Sequence, residues 1–159
     1  MTGISVHGLY PGAVEVDGQT IHIDGDAMKV FAERDPAKLP WGDLGVEVAA
    51  ECTGVFTKRS SEKGGYGDHL AAGAKKVIIS APTKITDKAA RIPDDFGMFI
   101  YGINHLDFDP ARHHVISAAS CTTTGLSHMM KPLLENNETN KILTASMSTI
   151  HAATGSQSI

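Results

Sequence analysis

The stretch Val46-Glu47-Val48-Ala49-Ala50-Glu51-Cys52-Thr53-Gly54 decides the fold of this chain. A short apolar run that ends in turn residues is typical of a buried strand in a parallel sheet. The stretch Val77-Ile78-Ile79-Ser80-Ala81-Pro82 has the same form, and its proline stops regular structure because it has no backbone N–H to donate. The two runs together predict an α/β fold built on a parallel sheet.

Other elements are predicted on both sides of these runs. Apolar residues alternate around Asp17-Gly18, which indicates a hairpin over residues 13–23. The remaining predicted elements are short strands at 29–32, 98–101 and 114–117, and a short helix at 69–74 that follows a polar, glycine-rich loop at 58–67.

The strongest helix signal lies between Ser120 and Glu135. Apolar residues recur there at close to the 3.6-residue period, and Ser120 is able to cap the first turn. Pro132 predicts a kink or an early break in this helix. Residues 142–150 are rich in β-branched and apolar side chains, and they predict a final strand that delivers His151 at its end.

Composition excludes several classes of protein. The 159 residues are 42% hydrophobic and 20% charged, which is ordinary for a globular protein and unlike a disordered or fibrous one. A net charge of −4 without a basic cluster argues against nucleic-acid binding. The 2 cysteines give neither a disulfide framework nor a metal-ligand pairing, and no run approaches the roughly 18 apolar residues of a membrane span. We therefore expect a cytoplasmic protein with no metal, no membrane segment and no nucleic-acid partner.

Cys121 is the first candidate for chemistry. It stands where a strand and a short turn meet the predicted helix, and the free amides at a helix start stabilise a thiolate. A strand–helix–strand return would bring His151 beside it, and a cysteine next to a histidine is an activated nucleophile with its own proton carrier. Position alone leaves a buried, inert cysteine as an equal alternative.

Two strand ends are candidates for cofactor binding. Thr53-Gly54 and Ser80-Ala81 both follow predicted parallel strands, and ligands of open parallel sheets bind beyond the carboxyl ends of the strands. From the residues alone, ordinary turns between a strand and a loop remain the alternative.

Several further segments can be compared, in their order along the chain, with the successive blocks of a known family. They are Glu33-Arg34-Asp35-Pro36 with Trp41-Gly42, residues 51–56, residues 73–82, Gly102-Ile103-Asn104-His105, Ser120-Cys121-Thr122-Thr123 and Thr149-Ile150-His151-Ala152-Ala153-Thr154. In this order they resemble the successive blocks of phosphorylating glyceraldehyde-3-phosphate dehydrogenase, and the resemblance covers nearly the whole chain.

The resemblance implies a fold and an activity. The fold is an incomplete doubly wound, Rossmann-type parallel sheet in residues 1–120, a partial NAD(P)-binding domain. Residues 121–159 follow as the first helix and strand of an α+β catalytic domain. The activity is the oxidation of glyceraldehyde 3-phosphate to 1,3-bisphosphoglycerate with NAD or NADP and inorganic phosphate. The resemblance implies that this step of glycolysis and gluconeogenesis is carried out by a homotetramer.

The same resemblance implies roles for individual residues. Cys121 is the nucleophile that forms a thioacyl intermediate, and His151 acts as base and then as acid. The residues that match phosphate-contacting positions are Ser120, Thr122 and Thr154. The residues that match positions lining the dinucleotide are Arg34, Thr53, Gly54, Phe56 and Ser80.

Some parts of the family pattern are not present in this sequence. The opening strand, the Gly-x-Gly-x-x-Gly turn and the acidic residue that grips the adenosine ribose would all precede Ile4, and most of the catalytic domain would follow Ile159. We therefore expect an internal fragment of a longer enzyme, poorly stable and inactive by itself. The segments 58–68 and 84–97 are expected to be longer loops than in many relatives.

Two other functions stay open. One is a non-catalytic relic or binding module that pairs with a full-length subunit through an exposed sheet edge. The other is an erythrose-4-phosphate dehydrogenase of the same superfamily, which shares the Cys/His pair.

Overall fold

A computed structural model describes residues 8, 10–83, 92–118 and 120–152 of the chain. The chain divides into two compact units, Met1–Arg34 and Asp35–Ile159. Each unit has its own β-sheet.

The first unit contains an antiparallel sheet of three strands, β1 (Val14–Asp17), β2 (Thr20–Ile23) and β3 (Asp26–Lys29). The predicted hairpin is confirmed, and Gly18 turns it with a φ of 56°, which glycine adopts without steric cost. The predicted strand at 29–32 is wrong in position. The tight turn at Asp24-Gly25 pairs Asp26 with Ile23, so the third strand is complete at Lys29.

The second unit is built on a parallel sheet of four strands, β4 (Val48–Glu51), β5 (Lys76–Ile79), β6 (Phe96–Met98) and β7 (Val115–Ser117). Their order across the sheet is β4-β5-β7-β6, and all neighbours are parallel. This confirms the predicted α/β fold. The strand predicted at 98–101 lies earlier, because the chain turns away after Phe99 donates its N–H to the Ser117 carbonyl oxygen.

The helices of this unit are α1 (Gly67–Ala71) and α2 (Cys121–Glu135), with single 3₁₀ turns at Pro36–Lys38 and His105–Asp107. The core lies on one face of the parallel sheet, because alternation along β5 turns every second residue inward and leaves Ile78 42% exposed. The buried core residues are Tyr66, Val77, Ile79, Phe96 and Val115.

The final strand predicted for the C-terminal part of the chain is wrong, and so is one of the two outcomes predicted at Pro132. Residues 142–150 form no strand. A strand needs a partner for its N–H and C=O groups, and β7, the strand nearest in sequence, already has β5 and β6 on its two sides. The early break at Pro132 does not occur, since α2 continues to Glu135 and ends at Asn136. Pro132 lies in the last turn, where its missing N–H removes a single donor near the helix end.

Candidate active site

Cys121 is the first residue of α2, and it follows β7 in the chain. Ser120 caps the helix: its Oγ accepts a hydrogen bond from the Thr123 backbone N–H at 3.2 Å and lies 2.7 Å from Thr123 Oγ1. The first turn is thereby fixed, and the Thr122 backbone N–H donates to the Cys121 sulfur. The thiol is exposed and lies at the positive end of the helix dipole.

His151 lies directly against this thiol. Its Nε2 is 3.0 Å from Cys121 Sγ, and its Nδ1 is 2.7 Å from the Ala152 carbonyl oxygen. A carbonyl oxygen only accepts, so Nδ1 carries a proton and Nε2 presents its lone pair to the thiol. The ring can therefore take the thiol proton at Nε2 without turning.

The contact lowers the pKa of Cys121 and raises the pKa of His151, and both shifts favour the thiolate–imidazolium ion pair. The hydrogen bond with His151, followed by the hydroxyl and backbone N–H of Thr122, lowers the pKa of the Cys121 thiol. The hydrogen bond to the Ala152 carbonyl, followed by the bond and charge of Cys121, raises the pKa of His151. Thiolate and imidazolium stabilise each other, which is how a cysteine becomes nucleophilic near neutral pH.

Both reacting groups line a cleft of about 650 Å³ formed by α2 and residues 146–151. The lining residues from the helix are mostly apolar, and those from the returning segment are mostly hydroxyl-bearing. They include Leu126, Met129, Met130, Leu133, Ser146, Ser148 and Thr149. An apolar cleft with a few convergent polar groups is typical of a site for a small molecule.

The predicted phosphate-contacting residues fall in different places. Thr122 lines the cleft, with its Oγ1 4.0 Å from Cys121 Sγ. Ser120 is half-buried, and its hydroxyl serves the helix cap. Thr154 lies outside the described residues.

Most of the predicted cofactor residues lie at the C-terminal edge of the parallel sheet. Thr53, Gly54 and Phe56 follow β4, and Ser80 follows β5. Phe56 is half-buried and the other three are exposed. Because parallel strands end at one edge, β7 ends here too and leads the chain to Cys121. Arg34 is exposed in the first unit.

A buried polar network of Glu51, His69 and Trp41 lies next to these turns and was not predicted from the sequence. Glu51 is 2% exposed and His69 is 6% exposed, and their Oε2 and Nε2 atoms are 2.9 Å apart. Trp41 Nε1 donates to His69 Nδ1 at 3.0 Å. Alternation along β4, which places Glu51 on the same side as buried Ala49, is the only trace of the network in the sequence. The partner of Glu51 comes from a separate helix and leaves no local signal.

Within the described ranges, no group of three or more His, Cys, Asp and Glu side chains is arranged to hold a metal ion. None of the helices in that part of the chain is long and apolar enough to cross a membrane.

Comparisons with known proteins bear on this site. The model for the family described as glyceraldehyde 3-phosphate dehydrogenase, NAD binding domain, matches residues 4–59. The plasmid form of glyceraldehyde-3-phosphate dehydrogenase from Cupriavidus necator is 45% identical over 153 residues, or 96% of this chain. The chain is similar to glyceraldehyde-3-phosphate dehydrogenases over nearly its whole length.

Other glyceraldehyde-3-phosphate dehydrogenases are similarly close. The enzyme of Streptomyces coelicolor is 46% identical over 140 residues, which cover 88% of this chain and 37% of the relative. Glyceraldehyde-3-phosphate dehydrogenase 1 of Bacillus subtilis is 44% identical over 155 residues, which cover 98% of this chain and 42% of the relative. The match to the Cupriavidus protein covers 41% of its length, so the chain spans less than half of each of these relatives. Arg34, Thr53, Gly54 and Phe56 all fall within the segment matched by the family's NAD-binding domain.

Proposed function

We propose that this chain carries the nucleophile, the base and part of the cofactor site of a phosphorylating glyceraldehyde-3-phosphate dehydrogenase. The observation that carries the proposal is the 3.0 Å contact between Cys121 Sγ and His151 Nε2, with the other ring nitrogen held by Ala152. The substrates are glyceraldehyde 3-phosphate, inorganic phosphate and NAD or NADP, and the product is 1,3-bisphosphoglycerate.

The first step is attack by the thiol. His151 Nε2 takes the Cys121 proton, and the thiolate forms a bond to the aldehyde carbon while the carbonyl π electrons move to oxygen. The imidazolium N–H is a donor for that oxyanion, and the start of α2 adds the field of its free amides.

His151 then acts on the oxygen of the adduct. It protonates the oxyanion, and it takes the proton back as the C=O bond re-forms and a hydride leaves the carbon. NAD or NADP, when bound, supplies the acceptor for this hydride. The product on the protein is a thioester of Cys121.

Phosphate releases the acyl group. A phosphate oxygen attacks the thioester carbon, the S–C bond breaks, and the sulfur leaves as the thiolate that His151 stabilises. We assign the binding of the substrate phosphate and the attacking phosphate to Ser120, Thr122 and Thr154.

The sheet edge fits a dinucleotide. Gly54 has a φ of 71°, and a Cβ built on it would meet nothing within 4 Å, so the backbone beside the Thr53 hydroxyl is open. Phe56 adds an aromatic ring, and Ser80 adds a second hydroxyl from the neighbouring strand. These residues would hold the cofactor. Arg34, in the first unit, is assigned to the dinucleotide only by its match to the family pattern.

The same proposal covers the organisation of the protein. Residues 1–120 are assigned to a partial NAD(P)-binding domain and residues 121–159 to the start of a catalytic domain. The assembly is a homotetramer that acts in the cytoplasm in glycolysis.

The proposal is tested by following NADH formation by the native protein at its full length, with glyceraldehyde 3-phosphate, with and without inorganic phosphate. We expect turnover that depends on phosphate and a much slower rate with erythrose 4-phosphate. Equal rates on the two aldehydes would overturn the assignment, and a faster rate with erythrose 4-phosphate would replace it with the erythrose-4-phosphate enzyme. A protein that binds NAD but oxidises neither aldehyde would be a binding module.

A further inference from the structure

We propose that Glu51 is a positioning residue for the cofactor and that His69 and Trp41 hold it in place. The inference rests on the proposed function and deepens it, because none of these three residues is among those expected to line the dinucleotide. Their role is to fix the conformation of the Thr53-Gly54 turn, which is expected to line the dinucleotide.

The direction of each hydrogen bond in the network follows from its chemistry. An indole nitrogen is a donor only, so the 3.0 Å bond from Trp41 requires His69 Nδ1 to be an acceptor. His69 is therefore neutral, with its proton on Nε2, and it donates that proton to Glu51 Oε2 at 2.9 Å. The chain of bonds runs one way, from indole to imidazole to carboxylate.

The other carboxylate oxygen of Glu51 holds the turn. Oε1 accepts the Thr53 backbone N–H at 2.8 Å and also the Thr53 hydroxyl. Both carboxylate oxygens thus face donors, which is the arrangement of an ionised carboxylate. Thr53 Oγ1 in turn accepts the Val55 N–H at 3.1 Å, so the whole turn is tied to one buried side chain.

Two more of the proposed cofactor residues contact the same pair. The Glu51 carbonyl oxygen accepts the Ser80 N–H at 3.0 Å. The Phe56 ring meets the His69 ring edge to face, with the centroids 6.5 Å apart. Glu51 and His69 therefore touch the residues at the ends of both β4 and β5 that are assigned to the dinucleotide.

Burial makes this arrangement costly as a purely structural device. A carboxylate that is 2% exposed gives up its hydration and faces a neutral imidazole rather than a cation. An apolar pair would hold the sheet to α1 at a lower desolvation cost. The polar pair has a reason to be there, because the Glu51 carboxylate fixes the conformation of the Thr53-Gly54 turn.

The network also sets what Thr53 can recognise. Its hydroxyl has one proton, and that proton is committed to Glu51. Toward a ligand, Thr53 Oγ1 is therefore an acceptor. The group of the dinucleotide that meets it must be a donor, namely an amine, a carboxamide NH₂ or a ribose hydroxyl, and not a phosphate oxygen.

The test is NAD affinity in the native protein, measured by calorimetry. Glu51→Gln keeps the shape of the side chain but places an NH₂ group against a donor, either on the Thr53 side or on the His69 side. We expect the Kd for NAD to rise about tenfold. The alkylation rate of Cys121 should stay unchanged. Without NAD, the Trp41 indole N–H should exchange with solvent faster in this variant.

His113→Gln is the matched control. His113 is 4% exposed and accepts a backbone N–H from Asp109 at 2.9 Å, but it precedes β7 and so lies at the opposite edge of the sheet. We expect it to leave the Kd for NAD unchanged. An equal loss of affinity in this control would reduce the Glu51 effect to general destabilisation and overturn the proposal.

A double-mutant cycle with Thr53→Val separates positioning from structure. If Glu51 acts through Thr53, adding Glu51→Gln to Thr53→Val causes no further loss, so the double variant binds NAD no more weakly than Thr53→Val alone. Losses of NAD affinity that simply add, or an unchanged Kd in Glu51→Gln, would overturn the positioning role.

If Glu51→Gln does not fold, Trp41→Phe removes only the indole donor and should also raise the Kd for NAD. No change in that variant would overturn the role as well. A native protein that does not bind NAD would instead overturn the proposed function itself.

Discussion

Arg59 and Asp95 form a bidentate ion pair, with Nη1 2.7 Å from Oδ1 and Nη2 2.8 Å from Oδ2. Asp95 directly precedes β6, and its carbonyl oxygen accepts the backbone N–H groups of His114 and Val115. The pair therefore anchors the long loop after β4 to the place where β6 and β7 begin.

Arg59→Ala should destabilise the native protein by about 1 kcal/mol, a small value because the pair is partly exposed and screened by solvent. Arg59→Lys is the control: it keeps the charge but loses the two-pronged geometry, so it should recover less than half of the loss. Urea unfolding measures both. Full recovery by lysine would show that charge alone matters at this position.

The same pair predicts a pH dependence. Arg59 lowers the pKa of Asp95, so the ionised carboxylate contributes stability that is fully present above the ordinary pKa of an aspartate. That contribution is lost as the pH falls through the lowered value. The stability difference between the native protein and Arg59→Ala should therefore shrink in acid, as followed by unfolding at a series of pH values. A difference that stays constant into acid would contradict the linkage.

His151→Asn should slow alkylation of Cys121 by iodoacetamide at neutral pH several-fold, because a smaller fraction of the thiol is then ionised. In the native protein the lowered thiol pKa extends the thiolate to lower pH, and the raised His151 pKa extends the imidazolium to higher pH. The variant should move the alkylation profile to higher pH, because its thiolate loses that partner. Mass spectrometry of the labelled peptides separates Cys121 from Cys52, the other exposed cysteine and the internal reference. An unchanged profile would mean that the two side chains do not meet in solution.

Cys121→Ser should abolish hydride transfer while changing the affinity for NAD less than about twofold, because a hydroxyl is a far weaker nucleophile than a thiolate. Cys52→Ser is the matched control, and it should retain turnover. Single-turnover NADH formation and calorimetry with NAD measure the two properties. Chemistry that survives in Cys121→Ser, with NAD binding lost, would refute the assigned role.

Ser120→Ala should weaken the first turn of α2 by about 1 kcal/mol, the usual cost of losing a side-chain cap. The Thr123 amide, which donates to Ser120 Oγ, should then exchange with solvent several-fold faster. Ser120→Asn supplies a different capping oxygen and should restore protection. Equal exchange in the serine and alanine proteins would show that the cap does not hold this turn.

The parts of the structure with a local cause were predictable. The apolar run in β5, the Gly18 turn and the Ser120 cap each act within a few residues, so the strands and the start of α2 could be placed from the sequence. The position of Cys121 at the helix start follows from the same cap.

The parts that depend on distant partners were not predictable. Residues 142–150 have the composition of a strand, yet they pair with none of the strands in the described part of the chain, and pairing is a property of the sheet. The hydrogen bond between Glu51 and His69 joins a strand to a separate helix, so the sequence around either residue gives no sign of it. His151 was expected at a strand end, yet a segment without regular structure leads to it.

The strand order β4-β5-β7-β6 has a consequence for synthesis on the ribosome. β6 is made before β7, yet its one neighbour in the sheet is β7. While the chain emerges, β6 has no edge to join, and the sheet stays at two strands until Ser117 has left the exit tunnel. The last strand to appear is thus the one that closes the sheet, and a nascent chain stalled before it carries an unpaired, aggregation-prone segment.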